Sequence, residues 1–152
     1  MHRSIFNELS LNHLFWVTLY AWVFAQGIKV VLGVIRTKKF DFRWFIGTGG
    51  MPSSHAAGAS ALAITAGFDY GFNSGIFALA IVFAMVTMFD AQGVRRSTGS
   101  QAKILNTVME DIYWKGKIQD EKLKELIGHT PVEVIAGSII GILIAIIFQK
   151  AG

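Results

Sequence analysis

The chain has 152 residues, of which 53% are hydrophobic and only 16% are charged, a composition too apolar for the surface of a soluble domain of this size. Its net charge of +4 is modest and its basic residues lie between apolar segments, so no nucleic-acid partner is expected. Because the chain contains no cysteine, disulfides and thiolate metal sites are excluded.

The apolar segments predict an all-α fold, a polytopic membrane helical bundle of about four transmembrane helices in one domain covering residues 1–152. Residues 14–35 form an apolar run long enough to cross a bilayer as a helix. Residues 53–68 are rich in alanine and glycine, which suits a span packed closely against its neighbours. Residues 75–89 and 131–148 complete the set of predicted spans.

The longest connection between spans, residues 90–130, carries apolar residues at helical spacing. An amphipathic helical insertion at the membrane interface is therefore predicted for residues 100–127. Basic residues are concentrated in the connections after the first and third spans, and such residues favour the cytoplasmic side. We expect an integral protein of a bacterial cell membrane, with its polar site facing the cytoplasm.

The first span contains two cations. Lys29 and Arg36 are seven residues apart, about two helical turns, and therefore fall on one side of the helix. Arg36 is near the helix end, where a cation commonly reaches for the interface. Lys29 lies deeper, where a lysine usually faces the protein interior or a wet cavity, so its position favours a function.

A polar turn precedes the second span, with the sequence Gly49-Gly50-Met51-Pro52-Ser53-Ser54-His55. Free backbone N–H groups at the start of a helix attract anions, so Ser53, Ser54 and His55 are candidates for a phosphate site. The alternative is that one serine merely caps the helix and that His55 is an interfacial residue. The sequence leaves both interpretations open.

A carboxylate and two guanidinium groups follow the third span. Asp90 ends the span, and Arg95 and Arg96 come shortly after it. Arginine holds phosphate oxygens in bidentate geometry, which makes either residue a candidate phosphate ligand. The alternative is ordinary positive charge on the cytoplasmic side, with Asp90 as its local partner.

The fourth span begins with another polar group. His129 and Glu133 are four residues apart, so on a helix Glu133 could accept a proton from one ring nitrogen and orient the other. The stretch from Thr130 through Pro131 to Glu133 also fits a capping box with proline at the first helical position. This alternative explains Glu133 but leaves His129 without a role.

These residues, in this order, resemble the motifs of the type 2 phosphatidic acid phosphatase superfamily, which are K-x6-R-P, P-S-G-H and S-R-x5-H-x3-D. The chain as a whole resembles the short divergent branch of that superfamily, whose members are integral membrane proteins. Lys29 and Arg36 match the first motif, with Thr37 in place of proline. Residues 52–55, Pro-Ser-Ser-His, match the second, with serine in place of glycine.

The third motif is split in this chain. His129 and Glu133 match its second half, with glutamate in place of aspartate, whereas its arginine would have to be Arg95 or Arg96. The resemblance implies that His129 is the nucleophile that forms a phosphohistidine, that Glu133 orients it and that His55 protonates the leaving oxygen. It implies phosphate binding by the remaining residues of the motifs: Lys29, Arg36, Ser53, Ser54 and one of the two arginines. No metal ion or other cofactor is required.

The resemblance thus implies a membrane phosphatase that hydrolyses a lipid phosphate or pyrophosphate at the cytoplasmic face, while the lipid tail stays in the bilayer. One alternative is a metal-dependent phosphotransferase or hydrolase in which Asp90, Glu110 and Asp111 bind a divalent cation. Another is a non-catalytic protein that binds lipid. Membrane lipids and a lipid phosphate are the expected partners. The chain lacks part of the larger helical bundle of typical members of the superfamily, so the resemblance also suggests a homodimer that completes the packing.

Overall fold

The fold comes from a computed structural model that describes residues 4–38, 50–113 and 129–151. For residues 93–113 it describes the backbone, together with the side chains of residues 101, 104–106 and 109. All regular elements in these parts are helices, which confirms the all-α prediction. They are α1 (Ile5–Ser10), α2 (His13–Thr37), α3 (Ser54–Tyr70), α4 (Gly75–Tyr113) and α5 (Pro131–Ala151).

Among the described residues, three helical segments are long and apolar enough to cross a membrane: His13–Thr37, Gly75–Gln92 and Pro131–Ala151. α3 differs from them, because its 17 residues measure only about 25 Å. The hydrocarbon core of a bilayer is about 30 Å thick, so α3 is short for a span. A short helix of this kind needs neighbouring helices around it, and α3 has them on several sides.

α3 is the central helix of the bundle and packs against α2, α4 and α5. Apart from its last turn, its residues are buried or half-buried. Its alanines and glycines make this possible, since small side chains let helix backbones approach closely. One apolar cluster joins it to α2 and α5: Val17, Ala21, Ala61, Ile144 and Ala145. A second joins it to α4: Ala59, Ala63, Ala66, Ala80 and Ala84.

α3 and α5 meet backbone to backbone. Gly137 and Gly141, one turn apart on α5, face the carbonyl groups of Ser53 and Ala57 on α3. A Cβ atom at either glycine would overlap one of those carbonyl oxygens. This close approach holds the first turn of α3 against the second and third turns of α5. The polar turns that precede α3 and α5 are thereby held at the same end of the bundle.

α4 is longer than the apolar pattern predicts. The helix runs without a break from Gly75 to Tyr113, so residues 100–113 of the predicted interfacial insertion continue the third span. The polar stretch after Gln92 interrupts the apolar pattern, but it contains no proline that would stop the helix. The rest of the predicted insertion, residues 114–127, lies outside the described residues.

Candidate active site

His129 lies just before α5 and is only 2% exposed. Its Nδ1 donates a hydrogen bond to Oε2 of Glu133 at 3.0 Å. Because an ionised carboxylate only accepts hydrogen bonds, this contact assigns the proton of the neutral imidazole to Nδ1. Nε2 then carries the lone pair, and it has no hydrogen-bond partner among the described residues. The ring therefore presents a potential nucleophile in a buried position.

Glu133 orients His129 and caps α5 with the same oxygen. Its Oε2 also accepts a hydrogen bond from the backbone N–H of Thr130 at 3.1 Å. In return, Oγ1 of Thr130 accepts a hydrogen bond from the backbone N–H of Glu133 at 3.4 Å. This is the capping box that the sequence offers as an alternative to the histidine contact. The structure contains both arrangements, so the two interpretations of Glu133 are compatible.

Ser53 and Ser54 lie at the start of α3, beside the backbone of Glu133. Ser53 is fully buried, and its Oγ accepts a hydrogen bond from the backbone N–H of Ala56 at 3.3 Å. The backbone N–H of Ser53 donates to the carbonyl oxygen of Glu133 at 3.0 Å. Ser53 is therefore the cap of α3 and a direct link to α5, while Ser54 is buried next to it.

His55 occupies the first turn of α3 and faces His129. The centroids of the two imidazole rings are 6.3 Å apart, and their planes are inclined by 58°. Proton transfer needs a heavy-atom distance of about 3 Å, and nucleophilic attack needs a similar approach. A group lying between the two rings can therefore be reached by both of them.

Lys29, a residue of the first motif, packs against the turn that leads into the second motif. It is 9% exposed, and its Cγ and Cδ lie 3.6 Å from the position that a Cβ atom would take at Gly50. Gly50 has a φ of +88°, a left-handed conformation that favours glycine, and its backbone runs close to the lysine stem. Arg36, two turns further along α2, is exposed. Only the first of these two cations is thus buried against the polar turn before α3.

α4 meets the site through its backbone. The N–H of His129 donates a hydrogen bond to the carbonyl oxygen of Ala91 at 3.0 Å. Asp90, the neighbour of Ala91, is exposed. Arg95 and Arg96 follow four and five residues after Ala91 in the same helix, and their side chains lie outside the described residues.

The carboxylates of the metal-dependent alternative are far apart along α4. Asp90 precedes Glu110 and Asp111 by 20 and 21 positions in one continuous helix, a separation of about 30 Å. A divalent cation holds oxygen ligands at about 2.0–2.6 Å, so these three residues of one chain cannot share an ion. Within one chain, the course of α4 therefore gives no support to the metal-dependent alternative. In the described ranges, no group of three or more His, Cys, Asp or Glu could hold a metal ion.

Gln26 is a buried polar residue that the sequence motifs do not include. It is 4% exposed and lies one turn before Lys29 on α2. A single glutamine hardly lowers the mean hydropathy of an apolar run, so a hydropathy profile does not reveal it. The available signal was its spacing, which puts an amide on the same helix face as a deeply placed cation.

Comparison with known proteins agrees with these motifs. Residues 10–144 match the sequence model of a family described as the Divergent PAP2 family. The uncharacterized membrane protein YuiD of Bacillus subtilis (strain 168) is 40% identical over 151 residues, which cover 92% of this chain and 96% of that protein. No solved structure gives a significant match.

Proposed function

This chain belongs to the Divergent PAP2 family, and from that premise we propose that it is a membrane phosphatase acting on a lipid phosphate or pyrophosphate through a phosphohistidine at His129. The observation that carries the proposal is the pair of facing imidazoles, the buried ring of His129 and the half-buried ring of His55. The Nε2 atom of His129 has no hydrogen-bond partner in the described parts of the chain. The centroids of the His129 and His55 rings are 6.3 Å apart. Phosphoryl transfer depends mainly on positioning and charge stabilisation, and this pair supplies the positioning.

In the first step, Nε2 of His129 attacks phosphorus, and the bond between phosphorus and the leaving oxygen breaks. A protonated His55 gives its proton to that oxygen. His129 then carries the phosphoryl group on Nε2 and a proton on Nδ1, so its ring is cationic. The carboxylate of Glu133, 3.0 Å from Nδ1, stabilises this charge.

In the second step, water attacks the phosphorus of the phosphohistidine. His55, now neutral, accepts a proton from that water, and the nitrogen–phosphorus bond breaks to release phosphate. The lone pair returns to Nε2 of His129, while Nδ1 keeps its proton and its contact with Glu133. Both histidines are then in their starting states, with no metal ion in the sequence of steps.

Three cations are proposed to neutralise the phosphoryl oxygens. Lys29 is buried beside the turn before α3, which supports direct contact with phosphate. We assign the arginine of the third motif to Arg95, because it lies one helical turn after Ala91, whose carbonyl group accepts the hydrogen bond of His129. Arg96 is rotated from that position by about 100°. Arg36, at the exposed end of α2, is suited to attracting the anionic head group.

The depth of the site suits a substrate held in the bilayer. α2 begins at His13, whose ring contacts Asp69 at the end of α3, and Lys29 lies about 24 Å further along α2. With a bilayer core of about 30 Å and His13 at one boundary, the site falls just inside the opposite boundary. We propose that this boundary is the cytoplasmic one, where a head group enters while its tail stays among lipids.

The test is phosphate release by the protein purified in detergent, offered a panel of lipid phosphates and pyrophosphates with and without a chelator. We expect turnover that vanadate inhibits and that the chelator leaves unchanged. His129→Ala should lower kcat at least about a thousandfold, and His55→Ala about a hundredfold. Arg95→Ala should lower kcat/KM about tenfold more than Arg96→Ala.

Phosphohistidine gives a direct check, because it survives at alkaline pH and can be detected by mass spectrometry. We expect it on His129 in the His55→Ala variant, which still attacks substrate but hydrolyses the intermediate slowly. Wild-type protein that binds anionic lipid vesicles without any turnover would instead favour the non-catalytic lipid-binding alternative.

A further inference from the structure

Gln26 is buried on α2, a helix that packs against α3. It lies between Trp22 and Lys29 on α2, and residues at positions i, i+4 and i+7 share one side of a helix. The Cβ of Trp22 lies 3.5 Å from the position of a Cβ at Gly58, and the stem of Lys29 lies 3.6 Å from that at Gly50. The level of Gln26 along α3 therefore falls between these two contacts.

In the chain, Ser54 and His55 lie between those two glycines. The carboxamide of Gln26 thus lies in the part of α2 that faces the second phosphate motif, one turn deeper in the membrane than Lys29. The other uncharged residues of the buried stripe of α2 are apolar: Val17, Ala21, Ala25 and Val30. An amide buried within a span is expensive and commonly marks a functional position.

The ordinary explanation for such a residue is a hydrogen bond that holds two helices together. It predicts an effect of substitution on stability and none on the catalytic properties of the folded protein. A role in the site predicts effects on kinetic constants as well. The two explanations are therefore separable by measurement.

We propose that Gln26 is a positioning residue of the active site, which holds the start of α3, and with it His55, against Lys29 while adding no negative charge. This inference rests on the proposed function. Neutrality matters because the site binds a phosphate, so a carboxylate at this level would repel the anionic head group. An apolar side chain of the same length would instead loosen the position of His55.

Four variants separate these effects. Gln26→Met removes the amide and keeps the length of the side chain, whereas Gln26→Glu keeps the shape and adds a charge. Thr65→Val is a matched control for the loss of a buried polar group, since Thr65 is 1% exposed within α3. Gln149→Glu makes the same charge change at the far, exposed end of α5.

Gln26→Met should lower kcat about tenfold or more while KM stays within about twofold of wild type. Gln26→Glu should raise both KM and the inhibition constant for vanadate about tenfold or more. Neither control should change any of these constants beyond about twofold. If the Gln26 variants lower only the melting temperature and leave kcat, KM and vanadate inhibition unchanged, or if Gln149→Glu matches Gln26→Glu, the inference is overturned.

Vanadate binding also supplies a readout without turnover, as the rise in melting temperature that vanadate gives each purified variant. If the wild type shows no turnover but is stabilised by vanadate, and Gln26→Glu alone loses that stabilisation, the place of Gln26 stands while the proposed function fails. If the wild type shows turnover and the Gln26 variants have the same kinetic constants as the two controls, the inference about Gln26 is overturned and the proposed function is not. A wild type with neither turnover nor stabilisation by vanadate overturns both.

Discussion

Two histidine–carboxylate pairs lie at opposite ends of the bundle and make nearly the same contact. Nδ1 of His129 is 3.0 Å from Oε2 of Glu133, and Nδ1 of His13 is 2.9 Å from Oδ2 of Asp69. Their surroundings differ, because the side chain of His129 is 1% exposed and that of His13 is 41% exposed. The contact by itself therefore does not define an active site.

What distinguishes the His129 pair is its neighbourhood. The ring of His55 lies 6.3 Å away, and the buried Lys29 lies against the turn that leads to it. The His13 pair instead joins the start of α2 to the end of α3 at an exposed position. Burial strengthens electrostatic interactions and excludes water, so only the first pair is suited to activating a nucleophile.

The largest effect we expect in this comparison comes from Glu133→Gln. The amide can present its N–H₂ group to Nδ1 of His129, which favours the tautomer with the proton on Nε2 and removes the nucleophile. We expect kcat to fall about a hundredfold or more. Glu133→Asp keeps the charge but shortens the reach, and about a tenfold loss is expected. The kcat of both variants is measured from steady-state phosphate release.

Asp69→Asn is the matched control, because it makes the same chemical change in the exposed pair. It should leave kcat within about twofold of wild type. The ¹⁵N NMR signals of His129 report the tautomer directly and should differ between wild type and Glu133→Gln. A Glu133→Gln variant with nearly normal kcat would show that Glu133 is only the cap of α5.

A second effect concerns the packing of α5 against α3, which positions His129 next to His55. A change in this packing should appear first as a loss of stability. Gly137→Ala places a methyl group against the carbonyl oxygen of Ser53, so α5 must move away from α3. Overpacking of this kind costs about 1–3 kcal/mol, and the shift also separates His129 from His55. We expect a lower melting temperature and at least about a tenfold loss of kcat.

Gly27→Ala is the control for that change, because outside the local backbone of α2 no described atom lies within 4 Å of the added Cβ. It should leave activity unchanged and stabilise the helix by up to about 1 kcal/mol. Equal losses in the two variants would show that helix propensity, and not the close contact between α3 and α5, determines the result.

The bundle itself could be predicted from the sequence, because long apolar runs have few physical solutions other than membrane helices. Lys29, His55, His129 and Glu133 could also be singled out, since each is a polar group inside or beside an apolar run. Their convergence depends on how α3 and α5 pack. The small residues at Gly137 and Gly141 indicate a close contact but do not name its partner.

Other features depend on continuity and on neighbours that the sequence does not reveal. The polar stretch after Gln92 indicates a break in the apolar pattern, yet α4 continues through it, and this separates Asp90 from Glu110. The contact of His129 with Ala91 joins backbone groups, so no side-chain motif predicts it. Gln26 becomes a candidate only when the contacts of Trp22 and Lys29 show which part of α3 packs against this side of α2.

The smallest effect should come from breaking the exposed pair. The side chains of His13 and Asp69 are 41% and 22% exposed, so solvent and salt screen their interaction, and it should contribute less than about 1 kcal/mol. We therefore expect His13→Ala to lower the melting temperature in detergent by a few degrees at most and to leave kcat within about twofold. A large loss of kcat would mean that the far end of α2 and α3 is coupled to the site about 24 Å away, and the two pairs would then have to be treated as one unit.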